Sequence, residues 1–389
     1  MPENAPIRNT SLSYLRAFVT LLVVAHHSVL AYHVSAPPLP KDITAQPAWW
    51  QAFPVVDPAR WTGFSFLVGW NDIFFMSLMF FLSGLFVWPS LKRKGAATFL
   101  RQRFLRLGVP FVASIVVLAP LAYYATYRLT GADPALAAFV RTWFSQKNWP
   151  GGPAWFLWVL LAFDCVAAVL FLLLPRVVEW TGRFWCKVGE RPVLFYLALA
   201  VLSADVYVPM AKAYGGLAWA SFGPFAFQTS RLPHHLLYFL VGACVGAAGI
   251  GDGLLASRGR LARRWLLWGV FMLIAYIGEI AVFLSGRYLA AQIGFALSCA
   301  ASSFFLIAVF LRFDFGRGAR ARRFWDSLSG NAYGIYLVHY VFVLWLQYAL
   351  LKLMLPGAAK GTIVFAAAVI LSWITVAALR RVPGVARVV

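Results

Sequence analysis

The chain has 389 residues, of which 62% are hydrophobic and only 12% are charged, and its mean hydropathy is +0.75. This composition excludes an ordinary soluble globular domain and indicates a polytopic membrane protein. The net charge of +21 would suggest nucleic-acid binding in a soluble chain, but here the basic residues lie in short runs between apolar stretches, so we assign the charge to membrane topology and expect no nucleic-acid partner.

Ten apolar stretches have the length that crosses a bilayer as a helix, about 20 residues each. Both termini are predicted to be cytoplasmic, because this orientation places most of the 34 Lys and Arg residues on the cytoplasmic side. The sequence thus predicts an all-α, multi-pass membrane protein with a single domain over residues 1–389. The predicted helices are 12–34, 64–88, 107–127, 155–174, 193–208, 232–250, 265–284, 288–311, 332–355 and 361–379.

The first stretch carries Arg16, His26 and His27 in a segment expected to lie in hydrocarbon. Ionisable residues in a membrane helix are costly and mark functional sites. At 100° per residue, His27 lies within about 20° of the face of Arg16, whereas His26 is turned about 80° away. Arg16 and His27 therefore form a stripe about 16 Å long, from the cytoplasmic surface towards the outer half of the membrane. A snorkelling arginine with a structural histidine is an equal alternative.

The second stretch contains Asp72 and, near its inner end, the pair Ser83 and Gly84. Asp72 lies at a depth similar to that of His27 if both helices are drawn straight from the outer face, so it is a candidate partner for that imidazole. A serine next to a glycine is typical of close helix packing, and the alternative for Ser83 is an acyl carrier.

The cytoplasmic start of the third stretch contains Arg103 and Arg106, which are about one helical turn apart. Their guanidinium groups are expected to face the same way and to bind phosphates through paired N–H donors. Topology signalling is the alternative explanation for both arginines.

Later stretches carry ionisable residues whose roles the sequence leaves open. Asp164, Asp205 and Glu279 are either satisfied buried acids or members of a functional pathway. His339 is either a structural partner near Tyr336 or a second active-site imidazole.

A second histidine pair, His234 and His235, occurs at the outward start of the sixth stretch. It follows Arg231 and Pro233. We expect this pair to be exposed at the membrane surface. The four cysteines have neither metal-binding nor redox spacing, so we also expect no disulfide framework and no metal site; they are Cys165, Cys186, Cys244 and Cys299.

Five motifs in chain order resemble those of the acyltransferase-3 family of bacterial inner-membrane O-acyltransferases. They are LRAFVTLLVVAHHS, FFMSLMFFLSGLF, LRQRFLRLGVP, PAWFLWVLL and YGIYLVH. The resemblance extends over about residues 11–380. The Trp-Phe-Leu sequence in the fourth motif is similar to that of a branch that modifies periplasmic glucans.

The resemblance implies a role for each residue that matches a family motif. His27 is implied to be the catalytic base. The phosphates of acyl-CoA are implied to bind Arg16, Arg103 and Arg106. One departure concerns a carboxylate: the family pattern has an aspartate six residues before the serine of the Ser-Gly pair, and this position is Ser77 here. Accessory candidates are therefore Asp72, Ser83 and His339.

The implied function is transfer of an acetyl or, alternatively, a succinyl group from cytosolic acyl-CoA. The implied acceptor is a hydroxyl of a cell-surface or periplasmic glycan or of a lipid-linked sugar, and the implied location is the bacterial inner membrane. The alternative from another class is a proton-coupled secondary transporter, in which intramembrane His, Asp and Glu residues form a proton path. A transporter of this kind predicts internal repeats, and we find no clear repeat in the sequence.

Overall fold

The computed structural model describes residues 10–38, 53–251 and 253–387 and is mostly helical, at 77%. In this part of the chain, nine helices are long and apolar enough to cross a membrane, and a further apolar helix, Leu232–Ala248, has 17 residues. The predicted helical membrane architecture is confirmed, whereas the predicted number of ten membrane-spanning helices stays a prediction. The cytoplasmic location of the two termini stays a prediction.

The secondary-structure elements are numbered here in chain order. The first half contains α1 (Thr10–Leu30), α2 (Gly63–Gly84), α3 (Val87–Lys94), α4 (Ala96–Arg103), α5 (Val109–Ala113), α6 (Ala119–Tyr127), α7 (Leu136–Ser145) and α8 (Trp155–Leu173). The second half contains α9 (Pro175–Gly189), α10 (Pro192–Tyr214), β1 (Trp219–Phe222), β2 (Phe225–Gln228), α11 (Leu232–Ala248), α12 (Arg260–Arg263), α13 (Trp265–Leu284), α14 (Tyr288–Arg312), α15 (Ala319–Leu350) and α16 (Gly357–Leu379).

Helix α1 lies at the centre of the bundle and packs against α2, α14, α15 and α16. Its buried side chains belong to two hydrophobic clusters. Leu15 and Val19 join the cluster that contains α2 and α14, whereas Ala17 and Val24 join the one that contains α15 and α16. A polar side chain on α1 is therefore positioned between the two halves of the protein.

The third predicted span is longer than the sequence indicates, because α4, α5 and α6 form one helical run from Ala96 to Tyr127. Two π-helical segments, Phe104–Gly108 and Ser114–Leu118, interrupt this run. Each segment is followed within two residues by a proline, Pro110 or Pro120. Proline has no N–H for the carbonyl four residues before it, so the regular α-helical bonding pattern is interrupted at these points.

The sequence did not predict the antiparallel hairpin of β1 and β2. Gly223 lies in its tight turn with a φ of 54°, which a glycine adopts without a steric cost. The indole Nε1 of Trp158 on α8 donates a hydrogen bond to the Ala226 carbonyl at 2.9 Å. This bond fixes the hairpin against the start of α8, which lies close to the candidate site described below.

Buried polar contacts hold the segment between α1 and α2 in place. Lys360 of α16 pairs with Asp57 at 2.7 Å, and both side chains are almost completely buried. Arg60 donates hydrogen bonds to three backbone carbonyls, those of His33, Val34 and Ala36. These contacts fix the C-terminal end of α1, and with it the position of the His26–His27 pair.

Candidate functional site

The structure brings His27 of α1 against His339 of α15. His27 Nδ1 lies 3.0 Å from His339 Nε2, a hydrogen bond between residues 312 positions apart in the sequence. His339 is completely buried, whereas His27 is partly exposed. One nitrogen of the His27 ring is thus bound to the protein while the ring itself remains accessible.

A backbone carbonyl determines the tautomers of this histidine pair. His339 Nδ1 lies 2.7 Å from the carbonyl oxygen of Tyr336. Because a carbonyl can only accept, His339 Nδ1 carries the proton, and its Nε2 therefore accepts a hydrogen bond from His27 Nδ1–H. Neutral His27 then has its lone pair on Nε2, which is the form that a general base requires.

Further contacts fix the position of His27. Gln347 of α15 donates from Nε2 to the carbonyls of His27 and Ser28, at 2.9 and 3.1 Å. The ring of Tyr340 meets the His27 ring edge to face, with 5.2 Å between the centroids. Gln347 was not among the predicted site residues. The sequence feature that could have indicated it is that it is a lone amide in the apolar second half of α15.

His26 faces a different part of the bundle. Its ring stacks on Phe75 of α2 with 5.2 Å between the centroids, and its plane lies at 85° to that of His27. His26 is 9% exposed, and it interacts electrostatically with Asp72. The two neighbouring histidines therefore contact different helices, α2 and α15.

Asp72 does not hydrogen-bond to His27. Its Oδ2 lies 2.7 Å from a terminal guanidinium nitrogen of Arg231, and the other terminal nitrogen donates to the backbone carbonyl of Asp72 at 2.9 Å. Asp72 was predicted as a candidate partner on the assumption that both helices are straight and that the two residues lie at the same depth. In the structure the partner of His27 is the imidazole of His339.

Arg16 lies on α1 about 16 Å from His27 along the helix axis. It is exposed although its neighbours Leu15 and Ala17 are completely buried. Its guanidinium group lies 5.3 Å from the ring centroid of Phe86, and it interacts electrostatically with Arg103. The structure thus gathers positive charge from α1 and α4 near one end of the bundle.

Arg103 and Arg106 differ in their surroundings. Arg103 Nε lies 3.3 Å from Oδ2 of Asp164, which is completely buried, and its guanidinium group lies 5.0 Å from the ring centroid of Phe99. Arg106 is exposed and belongs to the first π-helical segment. The prediction that the two side chains face the same way assumed a regular α-helix, and the wider π turn intervenes between them.

Tyr333 links α15 to the arginine region. Its hydroxyl donates a hydrogen bond to the backbone carbonyl of Arg106. In a regular α-helix this carbonyl would accept from residue 110, but Pro110 has no N–H. The phenol also interacts electrostatically with both Arg103 and Arg106. The helix that carries His339 therefore also carries a residue that contacts the arginine pair.

Ser83 is turned towards its own helix, since its hydroxyl donates to the Met79 carbonyl at 2.8 Å. A Cβ atom added at the adjacent Gly84 would lie 2.2 Å from the carbonyl oxygen of Phe239 on α11. The Ser-Gly pair therefore stands at a close contact between α2 and α11, which matches its interpretation as a helix-packing feature.

The expectation that His234 and His235 are exposed was wrong. His234 is completely buried and His235 is 3% exposed. The side chain of His234 lies 2.5 Å from the Ser203 hydroxyl. Arg231 lies directly before α11, and its ion pair with Asp72 draws the start of this helix into the bundle. The lengths of the apolar stretches in the sequence do not reveal this contact.

A family model described as an acyltransferase domain matches residues 9–377, which is nearly the whole chain. The chain therefore belongs to the acyltransferase-3 family, and it is a membrane acyltransferase. No curated protein and no solved structure matches the chain.

Replacing His339 tests whether this residue positions His27. His339→Ala removes the acceptor for His27 Nδ1–H, so we expect kcat for acyl transfer to fall at least about tenfold while the KM for the acyl donor stays within about twofold. His339→Gln retains an amide oxygen that can accept this hydrogen bond, and it should recover part of the loss.

The matched control for the His339 variants is His33→Ala, which removes an imidazole from the segment after α1. Its kcat should equal that of the unmodified protein. The kcat and KM of all three variants are measured by steady-state kinetics on purified protein. A normal kcat for His339→Ala, or equal losses in the alanine and glutamine variants, would contradict the positioning role.

Proposed function

We propose that the protein transfers an acetyl or succinyl group from cytosolic acyl-CoA to a hydroxyl group of a cell-surface or periplasmic glycan or of a lipid-linked sugar, in the bacterial inner membrane. The observation that carries the proposal is the His27–His339 pair. It supports a neutral, partly exposed imidazole with a basic Nε2 at the centre of a membrane bundle. A base of this kind suits activation of a hydroxyl nucleophile.

The arrangement of the arginines supports acyl-CoA as the donor. Arg16, Arg103 and Arg106 supply guanidinium groups suited to phosphate binding, and the carboxylate of Asp164 holds Arg103. Coenzyme A has phosphates at one end and a thioester at the tip of an extended arm. The stripe of about 16 Å from Arg16 to His27 allows that arm to run along α1 with the thioester next to the imidazole.

In the proposed reaction His27 Nε2 accepts the proton of the acceptor hydroxyl as its oxygen attacks the thioester carbonyl. The tetrahedral intermediate then expels the coenzyme A thiolate, which takes the proton from His27 and leaves as a thiol. While His27 is protonated, its Nδ1–H hydrogen bond to His339 Nε2 becomes charge-assisted and stabilises the imidazolium. Proton transfer by such a positioned base contributes roughly 10²–10⁴-fold to the rate.

The transporter alternative has no support from the family match, which is to an acyltransferase domain. The geometry of the histidine pair also has a direct use in acyl transfer. We therefore retain the acyltransferase as the single proposed function.

Replacing His27 tests the base. His27→Ala should lower acyl transfer at least about a hundredfold, because the hydroxyl proton loses its acceptor. The measurement is transfer from radiolabelled acetyl-CoA to glycans in membrane vesicles of a deletion strain that carries each variant, with mass spectrometry of the modified glycans. If His27→Ala stays active while His26→Ala is inactive, the base is His26 and the assignment to His27 is contradicted.

Replacing Arg106 tests the donor site separately from the chemistry. Arg106→Ala should weaken acetyl-CoA binding about 10- to 100-fold, which corresponds to loss of a charged hydrogen bond worth about 1.5–3 kcal/mol. Calorimetric titration of purified protein with acetyl-CoA measures this effect. Arg320→Ala, which removes an exposed arginine on α15, is the matched control and should bind normally. Unchanged binding in Arg106→Ala would remove Arg106 from the donor site.

A further inference from the structure

An apolar groove lies among α3, α8, α9, α10 and α11, whereas the proposed acyl-transfer site lies on α1 and α15. Its volume is about 260 Å³, far larger than the voids of a well-packed interior, which seldom exceed one water molecule. Within the described part of the chain its lining is apolar apart from Thr181, whose hydroxyl already donates to the Val177 carbonyl at 2.8 Å. The part of a ligand that enters this groove is therefore apolar.

The groove runs along α11 for much of the depth of one membrane leaflet. Its lining residues on this helix extend from Leu237 to Cys244, which is about 10 Å along the helix axis. The hydrocarbon core of a bilayer is about 30 Å thick, so one leaflet contributes about 15 Å. The length of the groove thus fits an acyl chain that lies within a single leaflet.

The groove opens sideways to the surrounding lipid. Two of its lining residues lie at the surface of the bundle, since Leu202 of α10 is 39% exposed and Val177 of α9 is 52% exposed. Val201 and Leu173, next to the groove on α10 and α8, are also exposed. Apolar side chains at the surface of membrane helices contact lipid, so an acyl chain can enter the groove without passing through water.

Helix α9 closes one end of the groove. A Cβ atom added at Gly182 would lie 2.5 Å from the carbonyl oxygen of Cys244, so the glycine allows α9 to cross closely over α11. Val178 and Trp185 lie on the same face of α9 as Gly182, and both line the groove. The end of the groove is therefore fixed by a direct contact between the two helices.

The remainder of α9 presents two exposed faces, one apolar and one basic. The apolar face consists of Val177, Trp180 and Phe184. The basic face consists of Arg176, Arg183 and Lys187. A helix with an exposed apolar face beside a basic one lies in the membrane interface, with its charges towards the headgroups. The groove therefore ends where phospholipid headgroups are located.

The charge at this end of the groove is positive. Lys92 of α3 pairs with Glu179 of α9 at 2.6 Å, and Arg183 also interacts electrostatically with this carboxylate. Lys92 follows Trp88, a lining residue of the groove, by about one helical turn. Helix α9 itself has three basic residues and one acidic residue. The excess of basic groups suits a negatively charged headgroup.

We propose that this groove binds an acyl chain of an anionic phospholipid and that Arg176 and Arg183 bind its headgroup. Guanidinium groups pair with phosphate oxygens, and the apolar lining buries the chain. A zwitterionic phospholipid has the same chains and the same phosphate, but the basic face repels its ammonium group. The groove therefore selects anionic over zwitterionic lipids. This inference does not depend on the proposed acyl-transfer function.

The test is photocrosslinking of purified protein in nanodiscs that contain a lipid with a diazirine in one acyl chain. The two probes are phosphatidylglycerol and phosphatidylcholine with identical chains, and peptide mass spectrometry locates the label. We expect phosphatidylglycerol to label residues 237–244 at least about fivefold more than phosphatidylcholine does, because two surface arginines attract its headgroup.

One pair of variants tests the groove itself. Leu240→Trp fills the groove and should abolish labelling of residues 237–244. The matched control is Leu273→Trp, which places the same side chain on the exposed face of α13 and should leave the labelling unchanged. Thermal unfolding of each variant checks that it is folded.

A second pair of variants tests the headgroup. Arg176→Gln combined with Arg183→Gln should lower labelling by phosphatidylglycerol to the level of phosphatidylcholine. Arg320→Gln combined with Arg323→Gln removes two exposed arginines from α15 and should keep the preference. Because Arg176 and Arg183 are exposed, their double variant leaves the core intact and decides the matter even if Leu240→Trp does not fold.

Three outcomes would overturn the inference. The first is equal labelling of the groove by the two lipids. The second is labelling of the groove no stronger than that of the exposed face of α13, as expected if a second copy of the chain covers it. The third is displacement of the label by a polyprenyl phosphate at a concentration at which unlabelled phosphatidylglycerol has no effect.

Discussion

The hydrogen bond from His27 to His339 is the interaction on which the rest of the site depends. It joins the first described helix to the penultimate one, so the His27 ring acquires its orientation only after α15 has packed against α1. The carbonyl of Tyr336 determines which nitrogen of His339 is protonated, and His339 in turn determines which nitrogen of His27 is protonated. A backbone group that cannot change its role thereby fixes which nitrogen of the His27 imidazole, the proposed base, carries the lone pair.

Charge is distributed on both sides of this pair. Arg16 and the arginines of the α4–α5 region lie towards one end of the bundle, and the Asp72–Arg231 pair lies on the other side of His26. Isolated charges in a low-dielectric interior are expensive, and here Arg103 and Arg231 each have a carboxylate partner.

The sequence was informative where a property depends on residues close together in the chain. Helix lengths follow from apolar runs, and helical phase separated His26 from His27 because both lie on one regular helix. The partner of His27 could not be found in this way, since His339 is 312 residues distant and was open to two explanations. The Arg103–Asp164 pair and the burial of His234 likewise depend on how separate helices pack.

The most direct test of the account is the tautomer of His27. Solid-state ¹⁵N NMR of histidine-labelled protein in lipid, compared with His27→Ala to assign the resonances, distinguishes a protonated ring nitrogen from an unprotonated one. The account predicts a neutral His27 with a proton on Nδ1, a bare Nε2, and a through-space correlation from Nδ1–H to Nε2 of His339. A proton on His27 Nε2 in the neutral ring, or the absence of that correlation, would contradict it.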